Sequence, residues 1–146
     1  MNEGHDGKRI QMPKPTIEID GSCFDSLSGF WNEISTRIIP GNVWGRNLDA
    51  FNDILRGGFG TPQGGFRLRW VNFQRSKEVL GYPETIRSLE RTLQECDPVN
   101  VDFVKEHLDK ARRGEGPTLA DTIVAIIKIH GPGGDEADDG IELELA

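Results

Sequence analysis

A chain of 146 residues is long enough for one domain that buries a core without disulfides or metals. With 36% apolar and 28% charged residues it has the balance of a soluble globular protein, and it shows neither a secretory pattern nor the roughly 20 apolar residues of a membrane span, so a cytoplasmic location away from membranes is expected. The net charge of −7 is uneven: Asp135, Glu136, Asp138, Asp139, Glu142 and Glu144 crowd the last stretch, leaving 18 acids against 17 bases elsewhere, a near-neutral body that argues against nonspecific nucleic-acid binding through basic surface.

Residues 1–14, with Gly4, Gly7 and Pro13, read as a flexible leader. The alternation Thr16-Ile17-Glu18-Ile19-Asp20 before Gly21 predicts a short strand. Ser26 or Ser28 can cap a helix that carries Leu27, Phe30, Trp31, Ile34 and Ile38 at three- and four-residue steps until Pro40-Gly41 stops it. These aromatics are read as core. From about 47 to 56 a second helix gathers Leu48, Phe51, Ile54 and Leu55 in one arc and sets Asp49 and Asp53 opposite its centre. Asn47 is a natural N-cap, and Asp49 in the first turn is stabilised by the partial positive charge of the helix N-terminus. Asp53 lies beyond that reach, so it needs solvent or a cationic partner.

Residues 57–65 are too rich in glycine to be anything but a loop. They lead into a strand and lack the Gly-Lys-Ser/Thr ending of a phosphate-binding loop. A strand at 66–71, a helix at 72–80 and helices at 83–95 and 101–113, divided by Asp97-Pro98, follow from the periodicity. Residues 122–129, continuous in apolar character, predict a buried third strand. Gly131 to Gly134 begin a linker, and residues 141–145 read as a loose edge strand or a disordered tail. Strands separated by helices favour a parallel sheet. The expected fold is an α/β three-layer sandwich with a small, mainly three-stranded parallel sheet and flanking helices. It occupies residues 15–130, with an enlarged helical segment at about 82–115 and an acidic C-terminal tail at 131–146.

The run Trp44-Gly45-Arg46-Asn47-Leu48-Asp49-Ala50-Phe51, followed by Asp53 and Leu55, resembles the aromatic-Gly-x-Asn-Leu-Asp-Ala signature of the barstar family, inhibitors of the ribonuclease barnase. Downstream, Leu68-Arg69-Trp70-Val71-Asn72-Phe73-Gln74-Arg75-Ser76-Lys77 resembles that family's Leu-x-Trp-x-x-Phe-x-x-Ser-Lys. The likeness covers about residues 15–81 and resumes loosely at 122–129. It implies a barstar-like fold and a protein that is no enzyme but blocks a bacterial ribonuclease of the barnase type. Asp53 would mimic the RNA phosphate in the basic active site, with Asp49 alongside. Asn47, Gly45 and Trp44 would build the approach, and Val43, Ala50, Asn52 and Gly57 would complete the partner-binding surface. Arg46 stands where the family commonly has an acid, Asn52 replaces an interface tryptophan and Val43 an aromatic, each of which weakens the case for barnase itself as the target and leaves room for a different nuclease. The family's second acidic helix finds its expected counterpart in Glu106, Asp109 and Glu115. A monomer before binding, without cofactor or metal, is implied.

Two other readings have sequence support. The same module could serve as immunity protein to a different nuclease toxin. A contact with RNA or the ribosome could use Arg56, Arg67, Arg69 and Arg75 with Trp70. Catalysis has little: His5, His107 and His130 show no matched nucleophile and base spacing. Cys23 and Cys96 form no metal-binding spacing and are expected to be reduced and at least partly buried.

Overall fold

The computed structural model describes residues 14–146. The leader expected at 1–14 lies outside the described residues apart from Lys14. Strand β1 (Thr16–Asp20) leads to helix α1 (Leu27–Arg37) and helix α2 (Leu48–Arg56), then to strand β2 (Arg67–Val71). Four further helices follow: α3 (Phe73–Val79), α4 (Tyr82–Glu95), α5 (Val101–Arg112) and α6 (Leu119–Ile129). Strand β3 (Glu142–Leu145) closes the chain.

The three strands form one parallel sheet in the order β1-β2-β3. Both crossovers therefore step in the same direction, and crossovers of one hand lay their helices on one face. The pairing aligns Ile17, Leu68 and Leu143 in one row and Ile19, Trp70 and Leu145 in the next. Leu68 and Trp70 on the central strand are fully buried. The opposite face carries Glu18, Arg67, Arg69, Glu142 and Glu144, all roughly half exposed and cross-paired: Arg69 reaches Glu18 and Glu144, Arg67 reaches Glu142. Among the described residues the sandwich thus has helices over its apolar face and an ionic ladder on the other.

The α/β class and the three-stranded parallel sheet agree with expectation, but among the described residues the charged face of the sheet is open to solvent, which leaves two layers where three were expected, and the third strand comes from elsewhere. Residues 122–129 belong to α6, an amphipathic helix that buries Leu119, Ala120, Ile123 and Ile127. A complete capping box starts it: Thr118 accepts from the Asp121 amide while the Asp121 carboxylate accepts from the Thr118 amide. The third strand is instead β3, within the stretch read as either a loose edge strand or a disordered tail, and it is the edge strand. A domain that ends at 130 therefore omits one edge of the sheet, since β2 pairs with residues 142–145.

Helix α1 begins at the Ser26 cap and buries Leu27, Phe30, Trp31 and Ile34. Phe30 stacks on Trp70 with ring centroids 5.3 Å apart, and Phe51 of α2 lies 6.0 Å from both Phe30 and Trp31. This aromatic cluster seats α2 against α1 and the sheet. Cys96 is half-buried, but Cys23 is exposed, contrary to its expected burial.

Candidate functional site

Helix α2 forms where its pattern places it, with Phe51, Ile54 and Leu55 buried and Asp49 and Asp53 exposed. Asn47 caps it, its side-chain oxygen accepting from the Ala50 amide at 2.8 Å. Ala50 itself is half-buried. The helix ends at Gly57, whose φ of 104° lies in the region that a side chain disfavours.

The approach segment is pinned to α1. The Trp44 indole N–H donates to Ser35 Oγ at 2.7 Å, and its ring meets Trp31 edge-on at 5.4 Å. Trp44 is therefore a half-buried strut. Arg46 adopts a left-handed backbone with φ of 55° and donates to Asn32 and Ser35. Gly45 lies close to the Ala50 methyl and the Asn47 amide, so a Cβ there would press on both. Val43, 96% exposed, projects from this segment into solvent.

Asp53 is not a bare anion. Its Oδ1 accepts from Arg56 Nη1 at 2.8 Å, one turn further along α2. Arg56 also donates twice to Glu136, from Nε at 2.7 Å and Nη2 at 3.0 Å. The guanidinium is thus held by two points on Glu136 and one on Asp53. The two carboxylates exceed the one cation, so the trio keeps a net negative charge. The guanidinium donates to Glu136 and thereby holds that carboxyl below its ordinary range, while Glu136 first and Asp53 second push the Arg56 pKa up.

Asn52 faces inward. Its Oδ1 lies 2.6 Å from Nε2 of His130, which is fully buried and whose Nδ1 lies 2.7 Å from Asp139 Oδ2. Two contacts, Arg56 with Glu136 and Asn52 with His130, therefore bind α2 to the segment between α6 and β3. Sequence reasoning missed Glu136 and Asp139. Arg56 at three residues from Asp53 was a visible local signal, whereas Glu136 is 80 residues from Arg56 and had none.

The acids expected to supply a second acidic element do not join Asp53 in this cluster. Glu106 pairs with Lys110 and Glu115 with Arg113, and α5, which carries Glu106 and Asp109, packs mainly on α4. Glu136 stands beside Asp53 instead.

The arginines of the RNA-contact reading all have acidic partners within the chain. Arg56, Arg67, Arg69 and Arg75 each pair with a carboxylate, and the Trp70 ring is buried with its N–H donating to Ser76. His107 is half-buried on α5 and contacts the Phe103 carbonyl, while His130 caps the end of α6 instead of a strand. His5 lies outside the described residues. His130, Glu136 and Asp139 come close enough to hold a metal ion. Glu136 already binds a guanidinium and His130 is hydrogen-bonded at both nitrogens, so this cluster is satisfied by its own chain. No helix of the described residues is long and apolar enough to cross a membrane.

The family model for barstar (barnase inhibitor) matches residues 14–104, from the start of β1 into α5. It takes in both motifs and the whole of α2. No curated protein matches the chain.

Proposed function

The chain belongs to the barstar (barnase inhibitor) family, and from that premise we propose that it blocks a bacterial ribonuclease of the barnase type by presenting the carboxylates of α2 to the enzyme's basic active site. The observation that carries this reading is the exposure of Asp53 and Asp49 on a helix seated by Phe51, Ile54 and Leu55 and capped by Asn47. Such a seat fixes the anions before binding, so little ordering entropy opposes the complex. A ribonuclease concentrates cations around the scissile phosphate, and a rigid carboxylate can take the phosphate's place through charge-assisted hydrogen bonds. Complementary potentials speed the encounter and set its orientation.

Asp53 is the central anion in this reading. Its bond to Arg56 is an exposed contact that solvent screens, weaker than a bond made in a water-excluded interface. Asp49 flanks it. Val43 and Gly57 lie at the two ends of the surface, while Trp44, Gly45, Ala50 and Asn52 hold its shape. The protein acts without catalysis, as a monomer meeting its target in the cytoplasm.

Calorimetric titration against a panel of barnase-type ribonucleases, with the wild type and Asp53→Ala, tests the proposal. The variant is expected to lose about 2 kcal/mol or more of binding, roughly thirtyfold, with an unchanged circular dichroism spectrum. Undiminished binding by Asp53→Ala would refute the assignment of the site.

A further inference from the structure

The guanidinium of Arg56 already takes Oδ1 of Asp53, the carboxylate that the inhibitory reading offers to a partner's cation. Its geometry is lopsided: two hydrogen bonds at 2.7 and 3.0 Å go to Glu136 and one at 2.8 Å goes to Asp53. Glu136 is anchored by its own backbone, its amide donating to the Ile129 carbonyl at 2.9 Å and its carbonyl accepting from the Asp139 amide at 3.1 Å. The receptor carboxylate thus sits on a fixed loop beside a fixed helix. All three side chains remain between about a third and three-fifths exposed, so the cluster opens to solvent.

We propose that Arg56 is a built-in competitor: it fills a two-carboxylate guanidinium receptor made by Asp53 and Glu136, and it swings wholly onto Glu136 when an arginine of the partner claims Asp53. This rests on the inhibitory reading of α2 for the identity of the partner, but the receptor itself is a property of the free chain. Competition of this kind sets specificity. A weakly basic partner cannot displace Arg56, whereas an active site that concentrates arginines around a phosphate position can. The Glu136 carboxylate keeps the displaced guanidinium paired, so displacement leaves no stranded charge.

Two measurements test the proposal separately. In the first, methylguanidinium is titrated into the wild type, Arg56→Ala and Arg56→Ala/Glu136→Gln, each shown to be folded by circular dichroism, and followed by amide NMR. Saturable shifts at residues 53 and 136 are expected in Arg56→Ala alone; their absence there, or equal shifts in the double variant, would overturn the receptor. In the second, barnase is titrated with the wild type, Arg56→Ala and Asp53→Ala. Arg56→Ala is expected to bind roughly three- to tenfold more tightly, with a steeper loss of affinity as salt rises. Equal or weaker binding would overturn the competitor role. If Asp53→Ala binds like the wild type, the inhibitory reading of the site fails, and the methylguanidinium result still decides whether the receptor exists. If barnase binds none of the three, the competitor role is overturned, and the methylguanidinium result decides only whether the receptor exists.

Discussion

Nε2 of His130 lies 2.6 Å from Oδ1 of Asn52, so a fully buried ring at the end of α6 is held by an amide on the acidic helix. The other ring nitrogen meets Asp139 at 2.7 Å. One imidazole thereby ties α2, α6 and the loop before β3 together. Buried polar groups in such a chain are costly to leave unpaired.

His130→Ala is therefore expected to cost about 2–4 kcal/mol of stability, combining a cavity with two orphaned partners. Asn52→Ala should cost about 1–3 kcal/mol. Urea denaturation of both single variants and the double variant gives the coupling, expected to exceed about 0.5 kcal/mol. Strict additivity would show that the contact contributes nothing.

The acidic segment at the C-terminus is part of the sheet, and its removal should be felt by the whole domain. Ile141 is 2% exposed and Leu143 packs against the core. Each buried aliphatic side chain is worth about 1.5–3 kcal/mol. A chain ended after Gly140 is expected to lose about 3–6 kcal/mol on that basis, and to show a lower melting temperature by circular dichroism. An unchanged melting temperature would mean that residues 141–146 are dispensable.

The contrast between α2 and β3 explains what the sequence could reveal. Every signal for α2 is local: the Asn47 cap, the spacing of Leu48, Phe51, Ile54 and Leu55, and Gly57 at the end all fall within eleven residues. The motif around Trp70 is local in the same way. By contrast, the acids of β3 face outward because Arg67, Arg69 and Lys14 meet them across the sheet. The alternation at 141–145 offers an edge strand, but without those partners in view it does not separate a paired strand from an acidic tail. The apolar run at 122–129 contains β-branched residues that suit either a strand or a buried helix. The deciding signal was Thr118 with Asp121 three residues on, a helix start that the run itself conceals.

Thr118 accordingly offers a direct check on α6. Its hydroxyl accepts from the Asp121 amide at 3.2 Å. Thr118→Ala removes one half of the capping box and is expected to cost about 1 kcal/mol, read as a shift in the urea midpoint with an unchanged slope. Thr118→Ser keeps the acceptor and should restore most of that loss. Indifference to both changes would deny the helix its cap.

Acid should loosen the clasp around the sheet edge and the α2 loop. Glu142 has its carboxyl held below the ordinary value of 4.5, first by Lys14 and then by Arg67. Glu136 is lowered by Arg56. Asp20, which accepts from Asn72 and Ser22, is lowered from 3.8. A group whose folded pKa is depressed contributes stability that is present above its unfolded pKa and is lost as the pH falls through the folded value. The melting temperature should therefore be steady near about pH 7 and fall below about pH 4.5. Glu142→Gln cannot titrate, so its melting temperature should fall less steeply over the acid range. Raising the salt should shrink the difference, because these partners are exposed and screened. A wild-type slope identical to that of Glu142→Gln would show that the bond from Lys14 leaves the stability of the edge strand unchanged.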